Sequence, residues 1–181
     1  MLTLILGGAR SGKSRLAQQL PAGAGRICFI VTAQAGADPE MRQRIERHRS
    51  DRPDSWQTIE EPLALGEAVE RAAAIYDTVI VDCLTIWLGN LFWEYRVNPG
   101  CIEEIVRSHV RRIVIASGSC RIIVVSNEVG CGTVPEAALA RVFRDAHGLM
   151  NQWVAEAADE VILTVAGLAQ YLKKLRESQY S

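Results

Sequence analysis

The stretch Gly7-Gly8-Ala9-Arg10-Ser11-Gly12-Lys13-Ser14 decides the fold of this chain. It fits the pattern G-x-x-x-x-G-K-[ST] of a phosphate-binding loop, or P-loop. An apolar run over residues 2–6 precedes it and a helix-forming run over residues 15–20 follows it. Glycines allow successive N–H groups to face an anion, and the positive end of the helix dipole faces the same point. The alternative is a glycine-rich turn that matches the pattern by chance.

Two side chains of the loop and one distant carboxylate are predicted to act on the phosphates. Lys13 is expected to reach the β- and γ-phosphates, and the Ser14 hydroxyl to bind Mg²⁺. Asp82 directly follows the apolar run over residues 79–81, so it is expected at the tip of a strand. A carboxylate there fits the acidic partner of a P-loop, which binds Mg²⁺ directly or through water. An ordinary surface aspartate is the alternative.

Length and composition indicate a single globular domain over residues 1–181. The chain is 49% hydrophobic and 23% charged, which is ordinary for such a domain. Its formal net charge of -1 gives no general attraction to nucleic acid or to anionic membranes. No apolar run reaches the length of a membrane span, and the first strand starts too early for a signal peptide. We therefore expect no nucleic-acid partner, no membrane span and a cytoplasmic location.

The cysteines support a reducing compartment. There are five, an odd number, and none forms a C-x-x-C pair, so neither a disulfide framework nor a zinc site is indicated. Cys28, Cys83 and Cys120 lie in or beside apolar runs and are predicted to be core thiols.

Apolar runs alternate with helical stretches along the chain, which predicts an α/β fold. Continuous apolar character indicates strands covered on both faces. Strands are predicted over residues 2–6, 27–31, 78–81, 121–125 and 161–165, and helices over residues 63–76, 102–116 and 136–158, the last opened by Pro135. This pattern predicts a P-loop NTPase-type three-layer sandwich with a mainly parallel sheet, in which ligands bind beyond the carboxyl ends of the strands. Residues from about 167 to 181 are expected to form a polar tail that frays.

The segment over residues 38–49 reads as a short helix capped by Asp38. Met41, Ile45 and His48 share one face of it. Taken alone, His48 is most simply a histidine in the last helical turn, stabilised by the helix dipole. The second interpretation is a nucleophilic imidazole that attacks a nucleotide phosphate, with the surrounding arginines Arg47, Arg49 and Arg52 neutralising the developing charge.

Residues 126–132 follow the fourth predicted strand and suit either a ligand-facing loop or a plain turn. Arg141 and Asp145 have the spacing of an ion pair on one helix face. His109 and His147 have no recognisable partners in the sequence and are predicted to be packing or surface residues. The tryptophans are predicted to be core or interface residues rather than base-stacking platforms; they are Trp56, Trp87, Trp93 and Trp153.

Taken together, these stretches resemble the bifunctional adenosylcobinamide kinase/adenosylcobinamide-phosphate guanylyltransferase family of cobalamin biosynthesis. The resemblance covers about residues 2–167. It rests on four ordered blocks: residues 7–14; residues 32–34 with the series Met41, Arg44, Ile45, His48, Arg52, Pro53, Trp56 and Glu60; residues 127–136; and residues 140–145 leading to Gly148, Asn151 and Gln152.

The resemblance implies two reactions. The first phosphorylates the aminopropanol hydroxyl of adenosylcobinamide with ATP or GTP. The second transfers GMP from GTP to that phosphate through a GMP–histidine intermediate on His48, releasing pyrophosphate. The resemblance also implies a homotrimer. The nucleotide-binding positions that it implies are Gly7, Gly8, Ala9, Arg10, Ser11, Gly12, Lys13, Ser14, Thr32, Ala33, Gln34, Arg49, Ser50, Asp51, Arg52, Glu60 and Asp82.

Two rival interpretations remain open at this point. A P-loop small-molecule kinase would use Lys13, Ser14 and Asp82 and leave His48 without a role. A GTP-binding switch or regulatory ATPase would hydrolyse nucleotide slowly without turning over a corrinoid, but the N-K-x-D run typical of switch GTPases is missing from the sequence.

Overall fold

The computed structural model of the protein describes residues 1–21, 23, 25–33, 53, 55–96 and 98–174. The strands are β1 (Leu2–Gly7), β2 (Ile27–Val31), β3 (Gln57–Glu60), β4 (Thr78–Asp82), β5 (Arg121–Val125), β6 (Glu160–Val165) and β7 (Leu168–Lys173). The helices are α1 (Lys13–Gln19), α2 (Leu65–Ala73), α3 (Leu84–Glu94), α4 (Ile102–Ala116) and α5 (Ala138–Ala157), and a 3₁₀ turn, Pro99–Cys101, leads into α4.

All seven strands form one sheet in the order β3-β2-β4-β5-β1-β6-β7. Every neighbouring pair is parallel except β6 and β7, which are antiparallel. The predicted α/β fold with a mainly parallel sheet is therefore confirmed. Strand β5 lies between β1, which carries the P-loop, and β4, which carries Asp82.

The two faces of the sheet pack against different helices. Successive strand residues alternate between them: Leu4 and Cys28 face one cluster, and Ile5 and Phe29 face the other. The first cluster contains the apolar faces of α2, α3, α4 and α5. The second contains Ala17 and Leu16 of α1, together with Trp56. Coverage of both faces explains why the strands read as continuous apolar runs.

One helix was not predicted from the sequence, and another begins later than predicted. Helix α3 has the sequence LTIWLGNLFWE, which is apolar on nearly every side, so it lacks the 3.6-residue periodicity by which a helix is recognised. Helix α5 begins at Ala138, so Pro135 precedes the helix instead of lying in its first turn.

Two strands were also missed, and one of them corrects the predicted tail. Residues 168–173, which were expected to fray, form β7 because they pair with β6 after the turn at Ala166 and Gly167. Every side chain of β7 is exposed, so no hydrophobic alternation signals the strand. Strand β3 has only four residues and an exposed first residue. Residues 175–181 of the predicted tail lie outside the described part of the chain.

Cys28, Cys83 and Cys120 are buried thiols, as predicted, and all five cysteines are free. None of the helices within the described residues combines the length and the apolar character that crossing a membrane requires.

Candidate active site

The P-loop connects the end of β1 to the start of α1. Gly12 is the N-cap of α1 and has φ +99°, and its carbonyl accepts the first helical hydrogen bond from Leu16 N at 2.9 Å. This left-handed conformation is one that glycine adopts without steric cost. The first N–H groups of α1 therefore face the space enclosed by the loop, where an anion would bind.

Gly7 lies against β6 with no room for a side chain. A Cβ built on Gly7 falls 2.6 Å from both Ser11 Oγ and Thr164 Oγ1, and closer still to Thr164 O. The Thr164 hydroxyl donates to Leu6 O at 3.0 Å, so Ser11 Oγ must donate to Thr164 Oγ1 in their 2.8 Å hydrogen bond. Gly167 N donates to Ser11 O at 2.9 Å. The P-loop is thus braced by β6 and by the β6–β7 turn.

Lys13 is 7% exposed and its Nζ donates to Gly8 O, within its own loop, at 2.5 Å. Burial raises the pKa of the neighbouring Cys83 thiol to about 11; the Asp82 carboxylate raises it as well, and Lys13 lowers it. The charges of Lys13 and Asp82 therefore both act on the same thiol. Helix α1 also packs against β4, the strand that ends in Asp82.

The carboxyl ends of β2, β3 and β4 lie next to one another, at the same end of the sheet as the P-loop. Val31 pairs with Asp82 on one side and with Glu60 on the other. Thr32 and Cys83 form a reciprocal pair, in which Thr32 Oγ1 donates to Cys83 O at 2.8 Å and accepts from Cys83 N at 3.0 Å. Since β5 separates β1 from β4, the backbone of Asp82 lies about 10 Å from that of β1.

The structure places residues 7–14, Thr32, Ala33, Glu60 and Asp82 along the carboxyl-terminal edge of the sheet, with β2 and β3 farther from the P-loop than β4 is. The other predicted site residues lie outside the described part of the chain. They are Gln34, His48, Arg49, Ser50, Asp51 and Arg52. The predicted helix over residues 38–49 lies there as well.

A largely buried polar cluster that the sequence did not reveal lies behind the P-loop and is made of Thr85, Ser126, His147 and Asn151. Ser126 Oγ donates to Asn151 Oδ1 at 2.7 Å, and His147 Nε2 lies 2.9 Å from Thr85 Oγ1. The members come from α3, the end of β5 and α5, so no local motif could have identified the cluster. His147 is a buried packing residue, as predicted, and the fold supplies the hydrogen-bond partners that the sequence did not reveal.

The cluster fixes the backbone of the loop after β5. Asn127 N donates to Thr85 Oγ1 at 2.9 Å, and Asn151 Nδ2 donates to Asn127 O at 3.0 Å. The next residue, Glu128, donates its N–H to Gly7 O at 3.0 Å. The P-loop is therefore contacted from the β5 side as well as from the β6 side.

His147 is held as a neutral imidazole. Asn151 Nδ2 lies 3.4 Å from His147 Nδ1, so Nδ1 is assigned as an acceptor and Nε2 as the donor to Thr85. Burial lowers the pKa of His147 from 6.5 to about 4, and the Glu128 carboxylate opposes this shift. Protonation of His147 at Nδ1 would place its N–H donor against the N–H donor of Asn151 Nδ2.

One further expectation is wrong: Arg141 does not pair with Asp145. Its guanidinium donates to two backbone carbonyls, and Asp145 lies 3.8 Å from Arg144. His109 is a packing residue, as predicted: its Nδ1 accepts from Gly66 N at 3.0 Å, and its ring lies edge-on to Trp87 at 5.3 Å. Trp87 is a core residue, as predicted, and Trp93, which is 72% exposed, stays a predicted interface residue.

Comparison with known proteins gives full-length matches. The family model for cobinamide kinase / cobinamide phosphate guanyltransferase matches residues 3–172. A bifunctional adenosylcobalamin biosynthesis protein CobP from Pseudomonas aeruginosa is 45% identical over 174 residues, which is 96% of this chain and 98% of that protein. Proteins called CobU, also described as bifunctional in adenosylcobalamin biosynthesis, come from Escherichia coli and Salmonella typhimurium. Each is 37% identical over 96% of this chain and 100% of its own length.

The contact between Gly7 and β6 predicts unequal effects of two neighbouring substitutions. Gly7→Ala should lower the free energy of unfolding by about 1–3 kcal/mol, because its Cβ overlaps Thr164 and Ser11. Gly8→Ala is the matched control, since a Cβ there meets nothing within 4 Å, and it should change stability by less than about 0.5 kcal/mol. Urea unfolding of both variants measures the difference. Equal changes in the free energy of unfolding for the two variants would contradict the tight contact of Gly7 with Thr164 and Ser11.

The neutral state of His147 predicts a stability that falls with acid. Because its pKa is lowered to about 4 in the folded chain, the unfolded chain binds more protons between pH 6.5 and pH 4. Stability is then full above pH 6.5 and decreases below it, by about 2 kcal/mol from this group at pH 5. In urea unfolding, His147→Gln should show a smaller loss between pH 7 and pH 5 than the wild type. An identical loss in both would refute this assignment.

Proposed function

The chain belongs to the cobinamide kinase / cobinamide phosphate guanyltransferase family, as its motifs predicted, and from this premise we propose how it performs the two reactions. It phosphorylates adenosylcobinamide with ATP or GTP. It then transfers GMP from GTP to adenosylcobinamide phosphate through a GMP–histidine intermediate on His48, giving adenosylcobinamide-GDP and pyrophosphate. The observation that carries the kinase half is the braced P-loop with Lys13 buried at its centre.

The kinase step relies on positioning and charge. The N–H groups of residues 8–14 surround the triphosphate, and Lys13 exchanges its hydrogen bond with Gly8 O for the β- and γ-phosphates. The substrate hydroxyl attacks the γ-phosphorus in line, and the bond to the β-phosphate oxygen breaks. Neutralising the charge that spreads over the transferring group is the main contribution of the protein.

Ser14 and Asp82 are the residues that would hold Mg²⁺. The described residues contain no group of three or more His, Cys, Asp or Glu side chains that could hold a metal by themselves. One hydroxyl and one carboxylate nevertheless fit Mg²⁺, which in nucleotide enzymes takes its other ligands from water and substrate phosphates. When bound, the ion neutralises charge on the β- and γ-phosphates.

The guanylyl transfer is divided into two displacements. The unprotonated imidazole of His48 attacks the α-phosphorus of GTP, and the bond to pyrophosphate breaks. An oxygen of the corrinoid phosphate then attacks the same phosphorus, and the phosphorus–nitrogen bond to His48 breaks. A neutral nucleophile avoids bringing two anions together in the first displacement. The cations Arg49 and Arg52 disfavour protonation of His48 and stabilise the charge on the phosphate.

The enzyme acts in the cytoplasm as a homotrimer. Its five free cysteines suit a reducing compartment, and the trimer is what the family resemblance implies. The assembly is measurable by light scattering coupled to gel filtration.

Covalent labelling tests the transferase step. Incubation with α-labelled GTP should give a protein-bound label that is stable to alkali and labile to acid, the behaviour of a phosphoramidate. His48→Ala should abolish the label and retain part of the kinase rate. The chain has only three histidines. His109 lies on α4 and contacts Gly66 of α2, so His109→Gln is the matched control and should label normally.

Labelling of His48→Ala at the wild-type rate would exclude His48 as the nucleophile. An unlabelled wild type with normal kinase activity would instead favour the P-loop kinase without nucleotidyl transfer.

Substitutions of the charged residues test the kinase step. Lys13→Ala should reduce phosphorylation of the corrinoid at least a hundredfold, because the loss of one such donor costs about 3–4 kcal/mol in the transition state. Asp82→Asn should raise the Mg²⁺ concentration for half-maximal rate at least tenfold, and the exposed Asp145→Asn should leave it unchanged. A Mg²⁺ titration of the rate gives both values, and an unaltered midpoint in Asp82→Asn would remove Asp82 from the metal site.

A further inference from the structure

The side-chain amide of Asn90, on α3, joins two loops at the edge of the sheet. Asn90 Nδ2 donates to Thr32 O at 2.8 Å and to Pro62 O at 3.1 Å. Both partners are carbonyl oxygens, which can only accept, so the orientation of the amide is fixed and both of its N–H groups are used. Among protein side chains, only the amides of Asn and Gln offer two donors on one uncharged nitrogen.

The two loops carry residues that are proposed to contact GTP. Thr32 directly follows β2, and Pro62 comes two residues after Glu60, the last residue of β3. The β2–β3 ladder ends at the pair Val31 and Glu60. The last backbone hydrogen bond between the two segments runs from Glu61 N to Val31 O at 2.9 Å. Beyond that point, in the described residues, Asn90 is the link that sets the distance between Thr32 and Pro62.

Other contacts hold each loop on its far side. Thr32 is bonded to β4 through Asp82 O and through both backbone groups of Cys83. The turn after Glu60 is held by Glu61 Oε1, which accepts from Leu63 N and Ala64 N, and by Trp87 Nε1, which donates to Leu63 O at 2.8 Å. Removing the Asn90 amide would therefore leave Asp82 and the P-loop in place. Only the distance between the two loops would no longer be fixed.

We propose that Asn90 is a positioning residue for guanylyl transfer, because its amide holds Thr32 and the turn after Glu60 at the spacing that bound GTP requires when it donates GMP. The kinase reaction depends on Lys13, Ser14 and Asp82, whose supports lie elsewhere. The inference rests on the proposed function, since Thr32 and Glu60 enter it as GTP contacts.

The test compares two variants of Asn90 with a control variant on the same helix. Asn90→Asp keeps the shape of the side chain and loses both donors, and Asn90→Ala removes the amide without adding charge. Leu88→Ala is the control, because it opens a cavity in the buried core beside the same helix, while the side chain that it removes forms no hydrogen bond to Thr32 or to the turn after Glu60. Two rates are measured on each full-length protein: covalent labelling by saturating α-labelled GTP, and phosphorylation of adenosylcobinamide by ATP.

Both Asn90 variants should label at least tenfold more slowly than the wild type while keeping the kinase rate within about threefold. Leu88→Ala should change the two rates in parallel, as a general loss of stability does. Labelling of the Asn90 variants at the wild-type rate, or a parallel loss of both activities, would overturn the proposal. If the wild type itself takes no label, the proposed function fails and this inference with it; a labelled wild type with unaffected variants refutes the inference alone.

Discussion

The close approach of Gly7 to β6 is the constraint on which the rest of the site depends. Because β1 lies between β5 and β6, the start of the P-loop is held from both sides, by Glu128 on one and by Thr164 and Gly167 on the other. Only a residue without a side chain fits between them. A loop fixed in this way before nucleotide arrives loses little further conformational entropy on binding, so more of the interaction with phosphate appears as affinity or as rate.

The order of the strands distributes the chemistry along one edge of the sheet. The P-loop on β1 and Asp82 on β4 are separated by a single strand, a gap of about 10 Å that suits a carboxylate acting through a metal or water rather than directly on phosphate. Thr32 and Glu60 lie farther along, on β2 and β3. Under the proposed function, an extended nucleotide bound along this edge would present its γ-phosphorus and its α-phosphorus at different places, and one P-loop would serve two reactions at two phosphorus atoms.

The sequence revealed those parts of the structure whose signals are local. The P-loop motif consists of consecutive residues, and Asp82 directly follows a continuous apolar run. The loop and the position of Asp82 at a strand end could therefore be predicted without coordinates. Helix α3 and strand β7 could not, because one is apolar on nearly every side and the other is exposed on every side. Contacts between distant segments also left no signal: nothing adjacent to Thr164 marks it as the partner of Ser11, and nothing near Asn90 marks it as the partner of Thr32.

The buried polar cluster behind the P-loop follows from the same backbone requirement. The loop after β5 starts at the buried Ser126 and is still partly buried at Asn127. A buried N–H or C=O group without a partner costs about 1–3 kcal/mol. Asn127 is not in a strand or a helix, so its N–H and C=O have no ladder partner, and Thr85 and Asn151 accept and donate in its place. His147 and Ser126 then satisfy those two side chains. An apolar core at this position would leave Asn127 unpaired, and Glu128 would no longer be held against Gly7. The polar residues therefore fix the backbone of the loop after β5, and through Glu128 they help to fix Gly7 at the start of the P-loop.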